Sequence, residues 1–241
     1  MAFACTRCGG RADQLVRYCV RCGGYDSFVA VVRGPGDGVL GDTAVVSAAT
    51  LYKRQGTFWK LSQEWTEVLG RLPRSPFVLA IHGPPGAGKT TTTVRLASHL
   101  CEIGAGPVLV DQLEEGTGAA FVDVLRRLEV AREDLLVTCT ASLVQLLQAV
   151  EEHEPHVVVL DSLSMTTLSA EDLARIVRET SCSLVFTLQE TKGGEARGSL
   201  ALLHVADIVL RLDPGGPFVL EKSRYSARKE GVLPWQIASI A

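Results

Sequence analysis

The 241-residue chain has no apolar stretch near the roughly 18 residues that a membrane helix needs. Its start, MAFACTRCGG, lacks the apolar core of a signal peptide and meets cysteine and arginine at once. These two absences predict a cytoplasmic protein without a membrane partner, in a compartment where thiols stay reduced. Excess positive charge is missing too. There are 24 Lys and Arg against 27 Asp and Glu, so any nucleic-acid site must be a local patch. Internal repeats and low-complexity tracts are absent, and the five histidines show no metal spacing. What remains is 46% hydrophobic and 21% charged, the composition of an ordinary soluble globular protein. The length allows one large domain, or a small module plus a medium one.

Cysteine is scarce, yet four of the seven cluster in CTRCGGRADQLVRYCVRCGGYDSF, residues 5–28. Cys5, Cys8, Cys19 and Cys22 form two Cys-x-x-Cys pairs. Each turn sets two thiolates on one side of a tight loop, and two such turns make the closed tetrahedral site that Zn²⁺ prefers. Glycines follow each pair, which suits knuckle turns. Structural zinc is therefore expected over a disulfide or a redox pair, which normally comes as a single Cys-x-x-Cys. Arg7, Arg11, Arg17 and Arg21 read equally as a solvated surface or as a phosphate-facing patch. Cys101, Cys139 and Cys182 stand in apolar contexts and read as ordinary buried thiols.

The apolar run FVAVV closes this module, and a stretch rich in glycine and small residues follows. The expected organisation is a zinc-binding module over 1–33, a linker over 34–56 and a second domain over 57–241. The segment WKLSQEWTEVLGRL predicts a short amphipathic helix. An apolar strand from Phe77 to Ile81 then enters Gly83, Pro84, Pro85, Gly86, Ala87, Gly88, Lys89, Thr90 and Thr91, with an amphipathic helix behind. This strand–loop–helix is a phosphate-binding loop. Its glycines let backbone N–H groups converge on phosphate oxygens, and the helix N-terminus adds partial positive charge. Lys89 is expected on the β- and γ-phosphates of a nucleotide and Thr90 on Mg²⁺.

Beyond the loop, strand and helix alternate. Strands are expected at 106–112, in DLLVTCT, HVVVLDSLS, SLVFTLQE, HVADIVLRLD and PFVLEKSRY. Helices are expected in AAFVDVLRRL, in SLVQLLQAVEEH and from Ser169 to Thr180, the last with a Ser169–Asp172 capping box. Near-continuous apolar strands between helices predict an α/β fold with a mainly parallel sheet covered on both faces. Asp161 ends four apolar residues, where a charge is costly unless paired, so it reads as a Walker B carboxylate facing Mg²⁺. Glu114 and Glu115 end a strand expected to neighbour the phosphate loop, where a carboxylate can deprotonate an attacking water. A guanine-recognition Asn-Lys-x-Asp is missing, which weakens a GTPase reading.

The ordered set CVRCGGYDSF, GPPGAGKT, VLVDQLEEG, VVVLDSLS, TKGGEARGS with LLHVADIVLRL, and KSRYS resembles the RadA (Sms) family of bacterial recombination proteins, within the RecA-like ATPases. The resemblance runs from residue 5 to about residue 232. It implies zinc ligands at Cys5, Cys8, Cys19 and Cys22, a catalytic glutamate at Glu114 and a Walker B aspartate at Asp161. It implies a γ-phosphate sensor at Gln189, where the family usually has histidine. It implies DNA contact through Lys192 and Arg197, and trans-acting or DNA-handling cations at Lys222 and Arg224, in place of the family's Lys-Asn-Arg-Phe motif. The expected protein is an ATP- and Mg²⁺-dependent ATPase acting on single-stranded or branched DNA, in a homo-oligomeric ring or filament, with a recombinase as a further partner.

The departures bear on this. Ser223 stands for the family's asparagine and Ser226 for its glycine, and GRLPRSP replaces a glycine-rich turn. The family's Lon-protease-like domain has no counterpart in the nine residues after Val232, which puts branch migration in doubt. The rival readings are an ATP switch that signals to a protein partner, a helicase–primase fragment and a small-molecule kinase. The last is disfavoured by the zinc pattern and the late basic motif.

Overall fold

The computed structural model describes residues 2–5, 11–12, 28–31, 48–52, 56–114, 116–140, 142–190 and 200–237. It divides into two compact units, Met1–Thr57 and Phe58–Ala241. In the first, strand β1 (Ala2–Cys5) lies antiparallel between β2 (Arg11–Ala12) and β3 (Phe28–Val31), with Cys5 opposite Phe28. A short helix, α1 (Ala48–Tyr52), belongs to the same unit. Of the proposed zinc ligands and the arginines around them, Cys8, Cys19, Cys22, Arg7, Arg17 and Arg21 lie outside the described residues, as does most of the 34–56 linker, and Cys5 and Arg11 are described as strand backbone alone.

The second unit begins with α2 (Gln63–Leu69). The Ser62 hydroxyl caps its start by accepting from the Trp65 N–H, and Trp65, Val68 and Leu69 form its buried face. The chain then runs through β4 (Val78–Gly83), α3 (Lys89–Glu102), β5 (Val108–Gln112), α4 (Ala119–Arg127), β6 (Leu135–Thr138), α5 (Leu143–His153) and β7 (Val157–Asp161). It continues with a 3₁₀ turn (Leu163–Met165), α6 (Ala170–Thr180), β8 (Ser183–Gln189), α7 (Leu200–Val205), β9 (Ile208–Leu212), β10 (Pro217–Ser223), β11 (Lys229–Val232) and α8 (Pro234–Ile237). The capping box forms as expected: Ser169 accepts from the Asp172 N–H, and Asp172 accepts from the Ser169 N–H.

Eight strands make one sheet in the order β11-β10-β9-β4-β8-β7-β5-β6. β4 through β9 pair in parallel, and β10 and β11 return antiparallel at one edge. Strands buried on both faces must be apolar at odd and even positions alike. β4 meets this demand. Leu79 and Ile81 pack into one core with α2, α3 and α4, while Val78 and Ala80 pack into the other with α5, α6 and α7.

Three expectations need correction. β5 does not neighbour the phosphate-loop strand; β8 and β7 stand between them, because hydrophobic periodicity marks a buried strand without giving its place in the order. His204 and Val205 are helical, in α7, and the strand starts only at Ile208. Cys101 and Cys182 are buried, donating to the Asp134 and Pro155 carbonyls, but Cys139 is exposed just past the end of β6. Its neighbours are apolar only within the strand it has already left.

Phe186, at the centre of β8, is fully buried, whereas Val144 on α5 is 64% exposed. Phe186→Ala is therefore expected to destabilise the fold by about 3–5 kcal/mol. Val144→Ala should change stability by less than about 0.5 kcal/mol. Urea unfolding of both variants measures the contrast.

Candidate active site

The phosphate loop sits at the C-terminal end of β4. Gly83 is there because a Cβ at that position would come within 2.2 Å of the Leu212 carbonyl oxygen of β9. Ala87 turns inward and is buried, and Gly88, at φ 84°, caps α3 without a side-chain hydrogen bond. The first N–H groups of α3 have no side-chain cap, and a Cβ at Gly86, earlier in the loop, would meet open space. Lys89 folds back over the loop and donates to the Gly83 and Pro84 carbonyls at 2.8 and 2.9 Å. Burial pulls its ammonium below the usual lysine range. The charges of Asp161, Glu114 and Glu190 oppose that pull. Thr90 and Thr91 are half-buried in the first turn.

Asp161 ends β7 and is 3% exposed. Each of its oxygens accepts one side-chain bond: Oδ1 from Thr187 Oγ1 at 2.6 Å and Oδ2 from Gln112 Nε2 at 3.0 Å. The donors come from the strands on either side, β8 and β5. One further lone pair per oxygen is left to serve a cation. Glu114, just past β5, is exposed, and both of its oxygens lie within 3.2 Å of Gln189 Nε2. Gln189 ends β8, where the Ser164 hydroxyl accepts its backbone N–H at 2.9 Å. The structure thus brings Lys89, Asp161, Glu114 and Gln189 to one end of the sheet. Glu115, Lys192 and Arg197 lie outside the described residues.

Lys222 and Arg224 are elsewhere. β10 runs antiparallel to β9, so Ser223 stands opposite Ile208, at the sheet end away from the loop. Lys222 Nζ donates to the Leu203 and His204 carbonyls at the end of α7. Arg224 pairs with Asp207 at 3.1 Å. The two serine departures have local work. Ser223 Oγ accepts the N–H groups of Tyr225 and Ser226, as an asparagine side chain does in such a turn. Ser226 Oγ accepts the Arg71 N–H at 2.8 Å, packed against Gly70, where no Cβ would fit.

Sequence reasoning missed Gln112, Thr187, Ser164, His82 and Glu190. A usable signal exists for two of them: Gln112 and Thr187 are polar residues in strands that are otherwise apolar apart from Asp111 and the strand ends. Asp111 is a related case. Burial pushes its carboxyl up, and the Thr140 N–H and hydroxyl, both donating to it, partly offset this.

An uncapped helix N-terminus after a glycine loop, a lysine over that loop and a buried carboxylate two strands away define the phosphate-loop NTPase fold of RecA-like type. The comparisons agree. The chain is similar to the DNA repair protein RadA of Pseudomonas aeruginosa, 24% identical over 86% of the chain, and to RadA of Aquifex aeolicus, 24% over 88%. It spans about half the length of these curated relatives. Adenylate kinase of Thermus thermophilus matches 43% of the chain at 31% identity. Among solved structures, a KaiC-like protein of Pyrococcus horikoshii shares the fold, with TM-score 0.57 and 17% identity over 73% of this chain and 93% of that one. No family model matches. The chain is RadA-like over most of its length.

The hard oxygen donors Thr90 and Asp161 fit Mg²⁺, and the loop with Lys89 fits a nucleotide triphosphate. Because Asp161 holds the Lys89 proton on, Asp161→Asn should move the Lys89 pKa further down. Faster labelling of Lys89 by an amine reagent at neutral pH, read by mass spectrometry, checks the sign.

Proposed function

We propose that the chain is an ATP hydrolase that couples turnover to DNA. The observation that carries this reading is the Glu114–Gln189 pair, poised beside Lys89 and the buried Asp161. A bound Mg²⁺ would neutralise developing phosphate charge, with Thr90 and Asp161 holding it. Lys89 and the α3 N-terminus stabilise the phosphate oxygens, and Glu114 takes the proton of the attacking water. Gln189 links that base to the end of β8, so a change at the γ-phosphate alters the strand end from which Lys192 and Arg197 follow in sequence. Those two residues are proposed to contact DNA. That the relatives named above are DNA repair proteins supports this, as does the family resemblance.

Lys222 and Arg224 stand at the sheet end away from their own phosphate loop, so a catalytic role for them requires a neighbouring subunit. A homo-oligomer follows from this reading. Residues 1–33 are proposed as a Zn²⁺ module on Cys5, Cys8, Cys19 and Cys22, joined through 34–56 to an ATPase domain over 57–241. A second reading, an ATP switch signalling to a protein partner, draws on the same pair, since Gln189 holds the carboxylate that would accept the water's proton.

ATPase rate with and without single-stranded DNA separates the two. Stimulation is expected, and unstimulated basal turnover favours the switch. Lys89→Ala should abolish hydrolysis, and retained turnover refutes the site. Lys192→Ala with Arg197→Ala should reduce the slope of log affinity against log salt by about 1–2, in a fluorescence titration with single-stranded DNA.

A further inference from the structure

His82 is the residue before Gly83 on β4, and it is 5% exposed. Its two ring nitrogens face two carboxylates. Nδ1 lies 2.9 Å from Glu190 Oε1, and Nε2 lies 3.0 Å from Glu221 Oε2. The Glu190 side chain is itself only 8% exposed. Ionised carboxylates only accept, and a neutral imidazole offers one N–H, so bridging both takes a second proton within the trio. The two nitrogens address different partners, so the arrangement is not one that closes on a metal ion. The surrounding charges are Arg211 of β9, 3.9 Å from Glu221 and 3.1 Å from Asp213, and Lys89, whose ammonium Glu190 helps to keep protonated.

No role assigned so far uses this trio, yet it touches the site from behind. Glu190 directly follows Gln189. Its backbone N–H donates to the Gly83 carbonyl at 3.1 Å, the same oxygen that accepts from Lys89. One residue therefore ties the end of β8 to β4 twice, once through its main chain and once through His82. Glu221, on β10, holds the far side of the ring and fixes its plane. The Gln189 amide, one residue back, rests on Glu114.

We propose that His82 is a positioning residue for hydrolysis: through Glu190 it fixes the end of β8, so that Gln189 stays registered on Glu114. The proposal rests on the reading of Glu114 as the base of an ATPase. A residue that acts this way changes the orientation of the reacting groups and leaves nucleotide affinity alone, so its effect falls on kcat and not on KM.

Two substitutions divide the ring. An asparagine amide reaches the place of Nδ1, so His82→Asn keeps the Glu190 contact and loses Glu221. A glutamine amide reaches the place of Nε2, so His82→Gln keeps Glu221 and releases Glu190. Both remove the ring and its proton equally. In the full chain with ATP and Mg²⁺, His82→Gln is expected to lower kcat about 10- to 100-fold, with KM within about twofold. His82→Asn should recover kcat to within about threefold of the native chain. Glu190→Ala should reproduce His82→Gln, while Glu190→Gln, whose amide oxygen still accepts, should not. That second pair decides the matter if either histidine variant fails to fold by circular dichroism. Equal kcat in the Asn and Gln variants, or a loss that falls on KM, overturns the proposal alone. Native turnover that survives Lys89→Ala overturns the reading of the site, and this proposal with it.

Discussion

The structure of the site depends on a carboxylate that has nowhere to go. Asp161 ends a strand that is buried along its whole length, two positions from the sheet edge. A charge there has no water to meet, so each oxygen must be met by a donor fixed in the fold. Thr187 and Gln112 supply those donors from the strands on either side. The three side chains therefore lock the relative height of β5, β7 and β8. That height decides where Glu114 and Gln189 emerge, because each stands at or just past the end of one of the outer two strands. Position along the sheet and chemistry at its rim follow from the same small polar cluster.

Charge around Lys89 is arranged by a similar economy. Burial works against the ammonium, and the carboxylates of Asp161, Glu114 and Glu190 work for it. One of these is partnered by Thr187 and Gln112, one by Gln189 and one by His82. The negative charge needed to hold the lysine proton is thus distributed over three carboxylates, each restrained by its own hydrogen bond.

Much of this was legible in the sequence. Glycine spacing between an apolar strand and an amphipathic helix announced the loop, because few other arrangements need small residues at those positions. Asp161 was legible because a charge at the end of an apolar run demands an explanation. The order of the strands was not legible. Val108–Gln112 and Ser183–Gln189 look alike as buried strands, and only long-range pairing sets β8 rather than β5 beside β4. His204 and Val205 read as the start of a strand because a short apolar run carries no decisive period. His82 and Glu190 escaped notice since 108 residues separate them, and a contact at that distance leaves no local pattern.

The central place of β4 has a consequence for how the chain comes into being. Its two flanking partners arrive late: Phe77 meets Ser183 across 106 residues, and Val78 meets Asp207 across 129. At ribosomal speeds of about 5–20 residues per second, the phosphate-loop strand waits about 6–26 s for both neighbours. Through that interval a run of apolar residues has both hydrogen-bonding edges open, the condition that favours mispairing with other nascent chains. The candidate nucleotide site is therefore a late product of synthesis. A nascent chain that stops short of β9 carries the full loop motif but not the sheet that shapes it.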